Sequence, residues 1–358
     1  MRCPTFAELP APPLGKTGWP WTEEPFQLPD RMPSGIPWPR ISIVTASYNR
    51  AEFIEETIRS ILLQGYPDLE YIIIDGASTD GTLDVIKKYE PWLAYWESKK
   101  DRGQSHALNK GLAKCTGDII TYFSSDDFYL PGTFEDVGNH WPRLERYGAL
   151  VGGFYFIDIN SIPTSKAIPS RLPVEGPLDL TLLPPGSWRL HQEATFFTRY
   201  ALDDVGRCVR EDLHYNADRE LLFRICRHHK IMLSRRTYSG FRWGEQSGTA
   251  SNQARFPAIL EYSLLYRSYC KKGERGYRQR KYNANFLVAK AYTAYAKYSD
   301  NTIRSITALI RALLYQPSYV LRHGYLIEWL KVLRMRSVVE RLRGLMKANT
   351  ADTFANLE

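Results

Sequence analysis

Apolar residues in the first part of the chain form short continuous runs that alternate with stretches of helical spacing. Residues 41–47, 71–75 and 119–124 are continuous runs rich in β-branched and aromatic residues, as in strands buried on both faces of a parallel sheet. Between the first two runs, residues 51–64 place apolar side chains at helical spacing, and Gly65 follows as a stop. This alternation predicts an α/β fold with a mostly parallel central sheet.

Polar residues follow each predicted strand. A further short strand near residues 93–97 leads into a polar loop and then a helix. The carboxyl ends of parallel strands lie at one edge of a sheet, so loops that are distant in sequence meet there. We therefore expect one crevice formed by residues 45–48, 75–80, 101–104 and 126–127.

Two adjacent aspartates, Asp126 and Asp127, end the strand that begins after Gly117. Neighbouring carboxylates repel each other unless a cation or hydrogen-bond donors compensate, and their oxygens suit Mg²⁺ or Mn²⁺. We interpret the pair as a site that holds a divalent ion against a diphosphate. A helix N-cap is an equally good interpretation, because Pro131 follows shortly.

The composition narrows the class of protein. The 358 residues are 44% hydrophobic, which is typical of a folded chain. The net charge of +8 is unevenly distributed, since residues 255–358 carry +12 and residues 1–254 carry −4. This partition argues against a uniformly basic nucleic-acid-binding protein. We predict a proline-rich lead-in at 1–39, a catalytic domain at 40–254 and a basic helical extension at 255–358.

The cellular setting is predicted from cysteines and hydropathy. Five scattered cysteines favour free thiols in a reducing compartment, and no secretion signal or apolar run of membrane-spanning length is evident. We therefore expect a cytoplasmic protein. The basic C-terminal helices either contact the inner face of the membrane peripherally or form a solvated cap on the catalytic domain.

Four motifs, in their order and spacing, resemble the family 2 glycosyltransferases of the GT-A fold, and the resemblance covers roughly residues 40–245. The motifs are the strand ending in Tyr48-Asn49, Asp75 to Thr82, Asp101 to Gly111, and Gly117-Asp118 followed by Ser125-Asp126-Asp127. The resemblance implies a nucleotide-diphospho-sugar donor, with a UDP-sugar favoured. It also implies Mn²⁺ or Mg²⁺ and hexosyl or N-acetylhexosaminyl transfer with inversion at the anomeric carbon.

The same resemblance implies donor-side roles. Asp126 is expected to bind ribose or sugar, and Asp127 is expected to coordinate the metal. Asp75 is expected to accept hydrogen bonds from the base or ribose, although a turn-stabilising role is about as good on sequence alone. The remaining donor-binding candidates are Thr45, Ala46, Tyr48, Asp101 and Gln104.

On the acceptor side, the segment that opens a helix near Asn216 resembles the part of the family that carries the catalytic base. Residue-by-residue matching places this base at Asp218, with Glu220 as second choice. The alternative for Asp218 is a helix first-turn acid. The weaker candidates for acceptor or phosphate contacts are His191, Gln192 and Arg242. Residues 160–187 form a proline-rich segment that is either an acceptor lid or a solvated insertion.

The expected function is transfer of a single sugar to a glycan or lipid-linked hydroxyl, in cell-surface polysaccharide or glycoconjugate synthesis. The Gln-x-x-Arg-Trp run of processive synthases is lacking, which favours single transfer. The alternative is a nucleotide-sugar-binding protein without catalysis.

Overall fold

The computed structural model describes residues 2–23, 26–169, 190–244, 252–273, 277–298 and 302–317. Residues 170–187 of the predicted acceptor lid and residues 245–251 lie outside these ranges. The chain divides into two compact units, Met1–Ser251 and Asn252–Glu358. The proline-rich lead-in is part of the first unit.

The first unit is built on a nine-stranded sheet. The strands are β1 Ile41–Ser47, β2 Leu69–Asp75, β3 Tyr95–Ser98, β4 Ile119–Ser124, β5 Phe128–Tyr129, β6 Ala149–Ile157, β7 Pro163–Ala167, β8 Thr195–Thr198 and β9 Ile231–Arg242. Their order in the sheet is β3-β2-β1-β4-β8-β6-β9-β5, and β7 pairs with β6. Strands β3, β2, β1 and β4 are parallel, whereas β8 pairs antiparallel with β4 and β6. The predicted α/β fold with a mostly parallel central sheet is confirmed.

Helices cover the sheet and close the connections between its strands. They are α1 Ile54–Leu62, α2 Thr82–Lys88, α3 Gln104–Leu112, α4 Thr133–Asn139, α5 Trp141–Leu144, α6 Arg199–Asp204 and α7 Ala217–His228. The buried apolar face of α1 includes Ile54, Ile58 and Ile61, all fully buried, which is the face that the helical spacing predicted.

The register of the central strands places their carboxyl ends together. Ser47 of β1 pairs with Asp75 of β2, and Ala46 pairs with Ser124 of β4. The continuous apolar runs are buried on both faces, and Ile43, Ile73 and similar side chains are fully buried. This burial fixes the strands, so that the polar loops after β1, β2 and β4 share one edge.

The lead-in packs on the first unit through buried tryptophans and one buried arginine. Trp21 and Trp38 are buried, whereas Phe26 is 75% exposed. Arg59 of α1 is fully buried and donates hydrogen bonds to the carbonyls of Pro10 and Pro20. The lead-in therefore supplies acceptors that a buried guanidinium requires.

The second unit contains α8 Asn252–Ser268, α9 Tyr277–Tyr298 and α10 Thr302–Tyr315. Its buried cluster includes Val288, Ala289, Leu309 and Ala312. The predicted C-terminal helical extension is thus present. No helix among the described residues is both long enough and apolar enough to cross a membrane.

Candidate active site

The loops that follow β1 and β2 are tied to each other at the edge of the sheet. The backbone N–H of Asn49 donates to Ser78 Oγ at 2.8 Å, and the backbone N–H of Thr79 donates to Asn49 Oδ1 at 2.9 Å. A Cβ on Gly76 would lie 3.0 Å from Asp101 Oδ2 and 3.3 Å from Tyr48 Cδ2. Three of the predicted donor-side loops therefore meet around Gly76.

Asp75 is fully buried, and its carboxylate is occupied by neighbouring donors. It accepts hydrogen bonds from the Ser78 backbone N–H at 2.9 Å, Ser78 Oγ at 2.5 Å and Ser98 Oγ at 2.6 Å. These bonds match the turn-stabilising interpretation that the sequence left open. The expected contact with a base or ribose stays a prediction.

The other donor-side candidates differ in accessibility. Thr45 is fully buried and accepts a hydrogen bond from the Tyr71 hydroxyl, and Ala46 is 9% exposed. Tyr48 is 59% exposed, and Gln104 is exposed at the first position of α3. Of these four residues, Tyr48 and Gln104 therefore offer accessible side chains.

Asp126 and Asp127 lie between β4 and β5 and have different surroundings. The side chain of Asp126 is 21% exposed, and its Oδ2 lies 3.6 Å from Arg50 Nε. Asp127 is only 1% exposed. Its Oδ1 accepts the Arg242 backbone N–H at 2.7 Å, whereas its Oδ2 is buried without a hydrogen-bond partner among the described residues. Neither is a helix N-cap, because Gly132 caps the next helix, α4.

The two aspartates are electrostatically unfavourable as they stand. Burial raises the pKa of Asp127 well above its usual range, and the charges of Asp126 and Glu193 raise it further. Burial also raises the pKa of Asp126, although Arg50 and Arg242 oppose this shift. A bound cation would favour the charged forms of both carboxylates.

Arg242 holds the aspartate loop in place. Its side chain is buried over the Phe53 ring, and each of its N–H groups has an acceptor. The acceptors are the carbonyls of Asp126, Asp158 and Ile159, Glu56 Oε2 at 2.7 Å and Ser161 Oγ. This geometry gives Arg242 a positioning role, while the expected contact with phosphate stays a prediction.

Asp218 lies in the first turn of α7. Burial raises its pKa, Arg219 opposes this shift, and the charge of Glu193 adds to it. The second-choice base, Glu220, is 2% exposed and accepts hydrogen bonds from Arg224 Nε at 3.0 and 2.9 Å. Glu220 therefore ties α7 internally, which leaves Asp218 as the better-placed acid for taking up a proton.

The segment from His191 to Glu193 precedes β8 and packs against β4. Gln192 is buried, and its Nε2 donates to the carbonyl of Tyr122 at 3.3 Å. The His191 ring lies 4.6 Å from the Phe154 ring, and its Nδ1 is 3.7 Å from Glu193 Oε2. Packing thus explains both predicted residues without a ligand, and their contacts with sugar or phosphate stay predictions.

Glu193 was not predicted from the sequence, yet its charge connects the two halves of the site. It raises the pKa of Asp126, Asp127 and Asp218 alike. The two cation-side aspartates and the candidate base are therefore all within electrostatic range of Glu193, and we call these four residues the acidic cluster. The only sequence signal was an acid two residues before the apolar strand β8.

A divalent cation needs oxygen ligands, and the acidic cluster supplies carboxylates. No group of three or more His, Cys, Asp or Glu side chains suitable for a metal occurs among the described residues. The unpartnered Asp127 Oδ2 and the partly exposed Asp126 nevertheless fit a cation that is shared with a diphosphate, because hard cations prefer carboxylate and phosphate oxygens. Asp126 and Asp127 would hold such an ion.

The parallel β3-β2-β1-β4 arrangement, with an acidic pair after β4, defines an α/β protein of the GT-A-like class. Solved structures share this fold. Staphylococcus aureus TarS 1–349 in complex with UDP-GlcNAc has a TM-score of 0.59 at 15% identity, over 85% of this chain and 92% of that one. The mannosyltransferase PcManGT from Pyrobaculum calidifontis, in complex with GDP-Man and Mn²⁺, has a TM-score of 0.50 at 20% identity, over 83% and 87%.

Sequence comparisons identify the family. Residues 42–206 match the family described as Glycosyl transferase family 2. An uncharacterized glycosyltransferase of Rickettsia typhi is 27% identical over 65% of this chain and 72% of its own length. The putative teichuronic acid biosynthesis glycosyltransferase TuaG of Bacillus subtilis is 38% identical over 25% of this chain and 36% of its own length. Residues 42–206 belong to glycosyltransferase family 2, and the protein is a glycosyltransferase that uses a nucleotide-sugar donor.

Proposed function

We propose that this glycosyltransferase is an inverting, metal-dependent enzyme that moves one sugar from a nucleotide-diphospho-sugar to a hydroxyl acceptor. The observation that carries the proposal is the acidic cluster of Asp126, Asp127, Glu193 and Asp218. Asp127 Oδ2 and Glu193 Oε2 are both buried without hydrogen-bond partners among the described residues. Buried carboxylate oxygens rarely lack partners unless a ligand or ion completes the site.

Asp126 and Asp127 hold the cation in this proposal, and Asp126 faces the more accessible side. A bound Mn²⁺ or Mg²⁺ would supply positive charge that neutralises the departing diphosphate. Arg50 adds a second positive charge beside Asp126. Arg242 keeps the two carboxylates in position, because its backbone and guanidinium both bond to the aspartate loop.

Asp218 is the base that takes the proton from the acceptor hydroxyl. A general base is most effective when its pKa approaches the working pH, and the environment of Asp218 raises its pKa. One such carboxylate suffices for inversion, since the acceptor oxygen itself attacks the anomeric carbon. Glu220 is committed to Arg224 and does not compete for this role.

The donor and acceptor are proposed at the level of chemical class. Tyr48, Asp101 and Gln104 form the nucleotide side, where Asp75 holds the adjoining loop, and a UDP-hexose or UDP-N-acetylhexosamine is the favoured donor. The likeness to TarS, which was solved with UDP-GlcNAc, supports this choice. The acceptor is a glycan or lipid-linked hydroxyl of a cell-surface polysaccharide, and the likeness to TuaG supports this pathway class.

We also propose a cytoplasmic location with peripheral membrane contact through the second unit. Three exposed cations, Arg267, Lys281 and Arg311, line a cleft of about 630 Å³ in that unit. Clustered positive charge beside exposed apolar residues such as Leu314 suits an anionic lipid surface. Sedimentation with vesicles containing phosphatidylglycerol tests this location, and vesicles of phosphatidylcholine alone are the control.

The catalytic proposal is tested with a panel of UDP- and GDP-sugars in the presence of Mn²⁺ or Mg²⁺. A matching donor raises the Tm by mass action, and release of the nucleoside diphosphate reports transfer or slow hydrolysis. Binding without release from any donor and acceptor mixture would favour the alternative, a nucleotide-sugar-binding protein without catalysis. If no donor bound and no nucleoside diphosphate were released, both the enzyme and the binding-protein interpretations would be contradicted.

A further inference from the structure

Glu193 is a buried acid with one carboxylate oxygen that lacks a hydrogen-bond donor among the described residues. The residue is 7% exposed, and its Oε2 has no hydrogen-bond partner among the described residues. Among the described residues, the nearest positively chargeable group is His191 Nδ1, at 3.7 Å, which is beyond hydrogen-bond distance. A carboxylate that is buried in this way is unfavourable unless something else donates to it.

The backbone around Glu193 is firmly placed, so the unsatisfied oxygen is not a consequence of a loose loop. Glu193 lies in a short 3-10 helix, Gln192–Ala194. Gln192 Nε2 donates to the carbonyl of Tyr122 on β4. Thr121 Oγ1 donates to the carbonyl of Thr195 at 2.8 Å. These bonds anchor the helix on β4, the strand that leads directly to the two aspartates.

Glu193 acts on both functional halves of the site. Its charge affects Asp126 and Asp127 on the cation side and Asp218 on the base side. In a transfer reaction, the sugar lies between the diphosphate that leaves and the base that activates the acceptor. Glu193 therefore acts on the two groups that flank the transferred sugar.

We propose that Glu193 binds the transferred sugar of the donor by accepting hydrogen bonds from its hydroxyl groups. This inference rests on the proposed function. Sugar hydroxyls are neutral O–H donors, and a carboxylate is an acceptor with several lone pairs. Such a pairing satisfies Glu193 without adding charge. It also makes Glu193 a specificity residue, since a site built to bond a hydroxyl rejects sugars that lack it.

The test compares each nucleotide sugar with the nucleoside diphosphate that lacks the sugar. Isothermal titration calorimetry in the presence of Mn²⁺ measures the Kd of each ligand. The pairs are UDP-GlcNAc with UDP, UDP-glucose with UDP, and GDP-mannose with GDP. For the pair that binds wild type most tightly, Glu193→Ala is expected to raise the Kd of the nucleotide sugar by about tenfold to a hundredfold. The Kd of the nucleoside diphosphate should stay within about twofold, and Glu193→Gln should show a smaller loss.

Glu70→Gln is the matched control, because Glu70 is a hydrogen-bonded acid at the amino-terminal end of β2, away from the carboxyl ends of the strands. It should leave both Kd values unchanged. If Glu193→Ala raised the Kd of the nucleotide sugar and of the nucleoside diphosphate equally, the inference would be overturned and Glu193 would be a cation ligand. Unchanged binding of both, with a lower Tm, would overturn it in favour of a structural role. If wild type bound no nucleoside diphosphate, the proposed function itself would fail.

Discussion

Two buried carboxylates at the same edge of the sheet have opposite environments. Asp75, at the end of β2, accepts three hydrogen bonds from Ser78 and Ser98. Asp127, after β4, is equally buried but has one oxygen without a partner among the described residues. A satisfied buried acid stabilises the loop that it bonds, whereas an unsatisfied one is costly until a ligand completes it. Asp75 therefore stabilises this part of the structure, whereas Asp127 is available to bind a ligand.

The largest expected effect is on the candidate base. Asp218→Asn should lower kcat by roughly 1,000-fold, because an amide cannot take the acceptor proton. Donor binding should be retained, since the change leaves the cation side untouched. The measurement is steady-state release of nucleoside diphosphate, with Glu220→Gln as a comparison. Near-wild-type kcat for Asp218→Asn would remove this residue from the reaction.

Asp127→Asn should lower kcat/KM by roughly 100-fold or more through weakened cation binding, without loss of stability. The raised pKa of Asp127 means that its charged form opposes folding at neutral pH, so the neutral amide should not lower the Tm of the metal-free protein. Chelation of the cation should likewise abolish transfer, and Mn²⁺ or Mg²⁺ should restore it. A marked fall in Tm for Asp127→Asn would show that Asp127, like Asp75, stabilises the fold.

Asp75→Ala is the opposite case. It should lower the free energy of unfolding by about 3 kcal/mol, because two hydroxyls and one N–H lose a charged acceptor inside the protein. Urea denaturation without ligand measures this loss directly. Unchanged stability would show that Asp75 does not hold its loop, and its expected role toward the nucleotide would then gain weight.

The smallest effect is a shift in the pH profile. Transfer needs Asp218 deprotonated, so kcat/KM should fall as the pH drops through its raised pKa, above the ordinary value of 3.8. Glu193→Gln should move this acidic limb to lower pH, because the charge of Glu193 helps to raise the pKa of Asp218. Since the acids interact, the limb reports an apparent value for the cluster. An unmoved limb would argue against coupling between Glu193 and Asp218.

The sequence was sufficient for the central sheet because its strands are continuous apolar runs followed by polar turns. The shorter pairings were not foreseen. Phe128 and Tyr129 form β5 by pairing with Gly240 and Ser239, more than one hundred residues away. Two-residue strands carry no periodicity, so their formation depends on tertiary contacts that a local pattern does not encode.

The same limit applies to the site. Asp126, Asp127 and Asp218 stand out because each follows a strand or opens a helix. Glu193 does not, since it lies in a short 3-10 helix whose position depends on tertiary contacts, including the bond from Gln192 to β4. Arg242 was expected near phosphate. Its observed partners, Glu56 and residues 158–161, come from distant parts of the chain and could not be identified from the sequence. Only the folded structure shows that its donors are already occupied.

The most direct test of the acidic pair is anomalous X-ray scattering from a crystal grown with Mn²⁺ and UDP. We expect an Mn²⁺ peak at ordinary metal–oxygen bonding distance from a carboxylate oxygen of Asp126 or Asp127, with UDP phosphate oxygens on its other side. An Mn²⁺ ion bound with the UDP diphosphate elsewhere, with neither aspartate as a ligand, would contradict it.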